Sequence, residues 1–206
     1  MNVTQTGRSM VEMLGTLAII GVLSVGGIAG YSKAMFKYKL NKHAEQMNMI
    51  FNSIIKHSKS FSNMASNGSV TKYFIALNEI PKEMYSSTSR FKDAFGLSYY
   101  IYLYKSVEQL ALFVDGKAAK KGDAQNFEIC KNFFTVAQAN HENISFIESQ
   151  NLAADGETKD WGNIYSGKSC KNKSSCLNNL TVSQIHSQCT KLTEGSRGWQ
   201  LQVRFF

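Results

Sequence analysis

Two hydrophobic patterns follow one another at the start of the chain. Residues 13–30 are uncharged and have no polar face; as a helix rising about 1.5 Å per residue they would span roughly 27 Å, close to the ~30 Å apolar core of a bilayer. Beyond them, apolar residues recur every three or four positions, as in a helix with one buried face: Leu40, Ala44, Met47, Phe51, Ile54 and Phe61. We therefore predict one continuous helix from residue 10 to about residue 60, with its first part in a membrane.

The rest of the chain has the mixed pattern of an α+β domain. Apolar residues at helical spacing predict three further helices, at residues 70–77, 127–137 and 181–189. Alternating or aromatic and β-branched runs predict four strands, at residues 97–105, 109–115, 144–148 and 199–205, the first two as a hairpin. Residues 151–175 are polar and are predicted to form a loop. The expected fold class is α+β, with a long N-terminal helix packed on an antiparallel sheet of about four strands.

A short polar segment comes before the apolar run. An ordinary secretory signal has its small-residue cleavage site after the apolar run, whereas here the candidate site, Gly7, lies in front of it. Cleavage between Gly7 and Arg8 would remove residues 1–7 and leave the whole apolar helix on the mature chain. The fifth residue of that mature chain would be Glu12.

This arrangement resembles the class III signal of type IV pilins and related pseudopilins, with a Gly before the cut, a Glu five residues after it and then a long apolar helix. The resemblance covers residues 7–30. Arg8 stands where most of the family has Phe or Met, and the leader carries no charge. The resemblance implies a prepilin peptidase that cleaves after Gly7 and methylates the new amino terminus. It also implies a leader at residues 1–7, a helix at 8–60 and a globular head at 61–206.

Glu12 has a physical argument of its own. An ionisable group at the edge of an apolar span costs a few kcal/mol to bury, which suggests a partner. The resemblance implies that this partner is the free α-amino group of Arg8 in a neighbouring subunit, so that Glu12 sets the subunit register of a helical filament. The alternative is that Glu12 contacts lipid headgroups or its own Arg8.

The glycines of the apolar run also allow two interpretations. Gly26 and Gly30 form a small-xxx-small pair, and Gly15 and Gly21 add small positions where neighbouring helices could approach closely. Alternatively, each glycine simply weakens the helix by ~1 kcal/mol.

Four cysteines lie in the C-terminal part of the chain: Cys130, Cys170, Cys176 and Cys189. An even count in an exported domain favours disulfides, in three possible pairings. We favour Cys170 with Cys176, which closes a small loop, and Cys130 with Cys189, which ties a helix to the segment before the last strand. Pilins of the type IVb group have a disulfide of the second kind, so the resemblance supports that choice. The chain has no CxxC pair, and we expect no metal site.

The net charge of +8 is compatible with anionic partners such as lipid headgroups, DNA or acidic surface polymers. Basic residues of the head, together with Trp161, Tyr165 and Trp199, offer phosphate contacts and stacking surfaces for DNA. We favour the other interpretation of these residues, a solvated basic surface with core aromatics. The lysine-rich flank at residues 33–42 would be cytoplasmic by the positive-inside rule, whereas a pilin-like protein needs it outside; the signal and the cysteines favour the second orientation.

Histidines are scattered, and neither an HExxH nor a GxSxG pattern occurs. We therefore expect a non-enzymatic protein without a cofactor. The function expected is a structural subunit of a type IV pilus or related filament, handled by inner-membrane assembly machinery. A pseudopilin of type II secretion and a DNA- or surface-binding minor pilin are the alternatives. The expected location is the bacterial inner membrane, with the C-terminal part outside, and then the cell surface or periplasm.

Overall fold

The computed structural model describes residues 10–61, 63–117, 124–152, 158–161, 165–168, 170, 176–193 and 198–206. Lys117, Leu152 and residues 158–161 are described by their backbone alone. The helices are α1 (Met10–Lys56), α2 (Thr71–Ala76), α3 (Ala124–Ala139) and α4 (Val182–Thr193). The strands are β1 (Gly68–Ser69), β2 (Phe91–Lys92), β3 (Ser98–Tyr104), β4 (Gln109–Lys117), β5 (Ile144–Leu152), β6 (Thr158–Trp161), β7 (Tyr165–Ser166) and β8 (Gly198–Phe205). The chain divides into two compact units, Met1–Lys39 and Leu40–Phe206.

Helix α1 ends at Lys56, a few residues before the predicted end near residue 60. The amide of His57 still bonds the carbonyl of Ser53 at 3.1 Å, but the next amide, of Ser58, bonds Ile55 at 3.3 Å. This change from an i−4 to an i−3 partner is the tightening that commonly closes a helix.

The sheet is antiparallel, and its strands lie in the order β1-β3-β4-β8-β5-β6, with β2 also paired to β3 and β7 to β5. The four strands expected from the sequence are its long strands, β3, β4, β8 and β5. The β3–β4 hairpin is confirmed, and Glu108 takes the left-handed conformation (φ 51°) at its connection. The C-terminal strand β8 lies between β4 and β5, so the centre of the sheet depends on pairing between distant parts of the chain.

One face of the sheet, the inner face, packs against the helices of the second unit. Alternate residues of β8 that point to this face are buried, including Leu201, Val203 and Phe205. Phe51 of α1 contacts both Phe205 and Phe133 of α3 edge to face, with ring centroids 5.1 and 6.1 Å apart. Full burial of one such side chain contributes roughly 1.5–3 kcal/mol. The second unit is therefore an α+β domain with its helices on one face of an antiparallel sheet.

The prediction of a loop at residues 151–175 is wrong in part. Strand β5 continues to Leu152, and both β6 and β7 pair with it. These segments are short and lie at or beside the edge of the sheet, so they need no long run of alternating apolar residues to be held there. Helix α4 also extends beyond the predicted end at residue 189, to Thr193.

A buried carboxylate organises the turn between β2 and β3. Asp93 Oδ1 accepts hydrogen bonds from the amides of Phe95 and Leu97, both at 2.9 Å. Its other oxygen accepts the Tyr99 hydroxyl at 2.7 Å. The side chains of Asp93 and Tyr99 are buried, so these bonds replace water that burial removes.

His43 of α1 completes this buried polar network. The Asn132 amide nitrogen lies 2.9 Å from the carbonyl of Leu40 and 2.9 Å from His43 Nδ1. Because a carbonyl can only accept, this nitrogen is the donor to both, which leaves the proton of a neutral His43 on Nε2. Nε2 lies 3.2 Å from the Tyr99 hydroxyl and 3.5 Å from Asp93. Burial lowers the pKa of His43, and the charge of Asp93 opposes this only in part.

The structure pairs Cys130 with Cys189 and Cys170 with Cys176, the pairs favoured from the sequence. The first disulfide joins α3 to α4, and its cysteines are 59 residues apart in the chain. The second closes a separation of 6 residues. All four thiols are thereby oxidised.

The pH dependence of stability tests the His43 network. The folded state holds the pKa of His43 below its ordinary value of 6.5, so the unfolded chain binds more protons below that pH, and stability rises with pH wherever this holds. We expect the free energy of unfolding to fall as the pH decreases below about 6.5, and His43→Gln to reduce this slope. Urea unfolding from about pH 5 to 8 measures it. Equal slopes in His43→Gln and in the part-exposed control His141→Gln would contradict the expectation.

The two disulfides should differ in their contribution to stability. A crosslink stabilises mainly by restricting the unfolded chain, so the longer closure should matter more. We expect the double variant Cys130→Ser/Cys189→Ser to lose about 4 kcal/mol and Cys170→Ser/Cys176→Ser about 2 kcal/mol. Guanidinium unfolding of the full chain at one pH compares them, and losses in the reverse order would refute this account.

Candidate functional site

The amino-terminal part of α1 is the most unusual surface of the chain. Every residue from 10 to 34 is exposed, including large apolar side chains such as Val22 (74%), Leu23 (68%) and Val25 (70%). Soluble monomers rarely expose a contiguous apolar surface of this extent, and such surfaces mark contacts with membranes or other proteins. We call residues 10–34 the apolar segment.

In the part of the chain that the structure describes, α1 is the one helix long and apolar enough to cross a membrane. Core helices of soluble proteins can meet the same requirements of length and composition, but they are mostly buried, whereas none of the most apolar stretch of α1 is buried. Signal sequences near the N-terminus meet them too. The apolar segment thus has the properties of a membrane span or signal anchor.

The hydroxyl groups of this segment are satisfied within the helix. Thr16 Oγ1 donates to the carbonyls of Met13 at 2.9 Å and Glu12 at 3.1 Å, and Ser24 Oγ donates to the carbonyl of Ile20 at 2.7 Å. Such back-bonding removes the cost of placing a hydroxyl in apolar surroundings. Thr16 and Ser24 therefore allow apolar surroundings on all sides of the helix.

The predicted packing glycines have no neighbour within their own chain. A Cβ added at Gly15, Gly21, Gly26 or Gly30 would meet nothing within 4 Å. At about 100° per residue, Gly15, Gly26 and Gly30 lie within about 60° of one another, whereas Gly21 lies on another side. The structure thus brings three of the four to one face, and any contact that needs small residues there comes from another molecule.

Glu12 is exposed, and its carboxylate makes no hydrogen bond or ion pair with any described residue. By the same helical geometry it lies on the face of Gly15, Gly26 and Gly30. The next charged residue along the chain is Lys33, about 31 Å further along the helix. Gly7 and Arg8, the predicted cleavage site, lie outside the described residues.

The aromatic residues considered for DNA stacking are not all on the surface. Trp199 is 1% exposed and donates from Nε1 to Asn126 Oδ1 at 3.2 Å, and Tyr165 is 6% exposed. A Cβ at Gly116 would overlap the Trp199 ring, so the glycine makes room for it on the neighbouring strand. The interpretation of Trp199 and Tyr165 as stacking residues is therefore wrong, because both belong to the core. The side chain of Trp161 lies outside the described residues.

Comparisons with protein-family models, curated proteins and solved structures find no match to this chain.

Proposed function

We propose that the protein is a structural subunit of a filament of the type IV pilin class. Before assembly the apolar segment holds it in the membrane; after assembly the same segment packs among its copies at the centre of the filament. The observation that carries the proposal is a fully exposed apolar helix with one carboxylate, Glu12, at its amino-terminal end.

In a simple membrane anchor Glu12 would lie at the lipid headgroups, whereas in an assembled filament it would lie in apolar surroundings. Moving an ionised group into apolar surroundings costs a few kcal/mol unless a partner compensates it. The free α-amino group of Arg8 in the next subunit is such a partner, as the resemblance implies. Because one heterologous contact of this kind repeats without closing, it generates an open filament.

The position of the glycines supports the same contact. Gly15, Gly26 and Gly30 share the face of Glu12 and leave space around the backbone. Small residues on one face allow helices to approach closely in apolar surroundings, where dispersion rather than the hydrophobic effect drives packing. A neighbour on this face would therefore meet the carboxylate and the three glycines, with Ile19 between them.

The two disulfides support an exported second unit, since such bonds persist in oxidising compartments. In this proposal the chain crosses the bacterial inner membrane once, with its amino terminus inside. A prepilin peptidase and inner-membrane assembly machinery then act on it. A secretion pseudopilus would use the same subunit chemistry in a filament that stays in the periplasm.

Processing at Gly7 gives the first test. We expect the protein from its native host to begin at Arg8, because a prepilin peptidase would remove residues 1–7. Mass spectrometry of the amino-terminal peptide measures both the start and any methyl group. Gly7→Val should remain uncut and serves as the control, and a wild-type chain that still begins at Met1 would exclude the pilin class.

Replacement of the carboxylate gives the second test. Glu12→Gln keeps size and hydrogen bonding but removes the charge, so we expect unchanged membrane insertion and at least about tenfold fewer sheared filaments, as for the loss of one interaction of ~1.4 kcal/mol or more. The control is Glu45→Gln, on the same helix, where the side chain is 60% exposed and pairs with Lys42 at 3.2 Å. Normal filament yield from Glu12→Gln, or equal loss in both variants, would contradict the role of Glu12.

A further inference from the structure

The face of the sheet opposite the helices, the outer face, carries an unusual concentration of aromatic rings. Side chains alternate along each strand, so those between the buried positions point outward. Five of these outward side chains are aromatic: Tyr100, Tyr102 and Tyr104 on β3, Phe113 on β4 and Phe146 on β5. A solvated sheet face normally carries polar side chains at such positions. Contact with water therefore does not explain the aromatic side chains of the outer face.

The rings form one connected cluster. Tyr100 stacks on Phe113, with centroids 4.6 Å apart and planes 1° from parallel. Tyr102 contacts Tyr104 and Phe113 edge to face, at 5.1 and 6.3 Å. The three tyrosines are half-buried, which leaves part of each ring and its hydroxyl accessible. The cluster therefore presents ring surface at several neighbouring points of β3, beside the buried ring of Phe113 on β4.

Two arginines are held on this cluster. The Arg204 guanidinium lies 3.9 Å from the Tyr104 ring centroid and 4.7 Å from that of Phe146. The buried Nε of Arg204 has no hydrogen-bond partner among the described residues, so the contacts that the structure gives this guanidinium are with the two rings. The Arg90 guanidinium lies 4.7 Å from the Tyr100 centroid and pairs with Asp115. Stacking holds the planar guanidinium of Arg204 in place before any ligand arrives.

The composition of the outer face resembles that of a binding surface. The chain has 19 lysines and 4 arginines, yet the described side chains of the outer face include two of the arginines and only one lysine, Lys92. Interfaces are enriched in Tyr and Arg and depleted of Lys, because aromatic and guanidinium groups lose less entropy and water on binding. The surface is therefore suited to hold a partner.

The charge of the outer face indicates which partner. Its described charged side chains are Arg90, Lys92, Arg204, Asp115 and Glu148, so their formal charge is only +1 in a chain of +8. Nucleic acid binding draws on unpaired cations along a phosphate backbone, and one of the two arginines is already paired. The outer face complements an uncharged ligand better than an anionic one.

The remaining polar groups match a ligand that both donates and accepts hydrogen bonds. Gln202 Nε2 donates to the Tyr104 hydroxyl at 3.3 Å, and Gln200 Nε2 donates to Asp115 Oδ1 at 2.7 Å. Amide and phenol groups can donate and accept at once, as the hydroxyls of a sugar do. A sugar ring also has a C–H face that can lie flat on an aromatic ring. We propose that the outer face binds a chain of neutral sugars, with rings against Tyr100, Tyr102 and Tyr104 and hydroxyls bonded to Arg204, Gln200 and the tyrosine hydroxyls.

This binding is separate from filament formation and can be tested on unassembled protein. The full chain is purified in a detergent without a sugar headgroup and titrated calorimetrically with maltohexaose, cellohexaose and chitohexaose. A hexauronate and a dodecamer of thymidylate serve as anionic comparators. We expect at least one neutral hexasaccharide to bind with a millimolar or lower Kd and to outcompete both anions.

The variant that tests the stacking surface is Tyr102→Ala. We expect it to weaken binding about tenfold, the loss expected for one aromatic contact, whereas Tyr102→Phe should keep most of the affinity. Tyr73→Ala, which removes a 41% exposed tyrosine of α2, is the matched control and should bind as wild type. Thermal unfolding checks each variant, and Tyr102→Leu replaces Tyr102→Ala if the latter does not fold.

Three results would overturn the proposal. The first is that none of the neutral hexasaccharides binds to the wild-type chain at millimolar concentration. The second is that only the hexauronate or the thymidylate binds, which would make the outer face an anion site. The third is that Tyr102→Ala changes the oligomeric state without changing sugar affinity, which would make the outer face a contact between copies of the chain.

Discussion

One helix, α1, has to suit two different surroundings, and the rest of the chain follows from that constraint. From residue 10 to 34 it is exposed on all sides and apolar, so it requires an apolar solvent or copies of itself. From Leu40 to Lys56 it belongs to the second compact unit and buries one stripe, including Met47, Phe51 and Ile54. No proline interrupts it. The backbone N–H and C=O groups of both parts are satisfied by hydrogen bonds within the helix, and a proline would remove one of these bonds.

The buried polar network gives the second part of the helix a specific position. His43 lies in the same stripe as Met47 and Ile54, where an apolar residue would pack without any requirement for direction. A buried imidazole instead needs a donor and an acceptor at fixed places, and Asn132 and Tyr99 supply them. A helix shifted by one residue would leave these groups unsatisfied, at about 1–3 kcal/mol each. The network thus favours one position of α1 along the sheet. Apolar packing alone would specify that position less sharply.

Periodicity was enough to predict the elements with long, regular patterns. The hairpin β3–β4 was predicted from its aromatic and β-branched runs. Strand β8 was predicted because apolar and polar residues alternate along it, and Trp199 has the same parity as the buried Leu201 and Val203. That parity could have identified Trp199 as a core residue. The short strands β6 and β7 carry too few residues for a pattern. The contacts of His43 join segments 56 and 89 residues apart, and nothing local in the sequence encodes such proximity.

The two proposed activities use different parts of the molecule. The proposed assembly would depend on Glu12 in the first compact unit, whereas the proposed glycan binding would depend on the outer sheet face in the second. They share no described residue or interaction partner, so effects of substitutions at the two places should add rather than couple. In a filament that repeats the same contact along its length, each copy would present its own outer face. A weak contact per copy could then give firm attachment through many simultaneous contacts, because linked sites raise the effective concentration of one another.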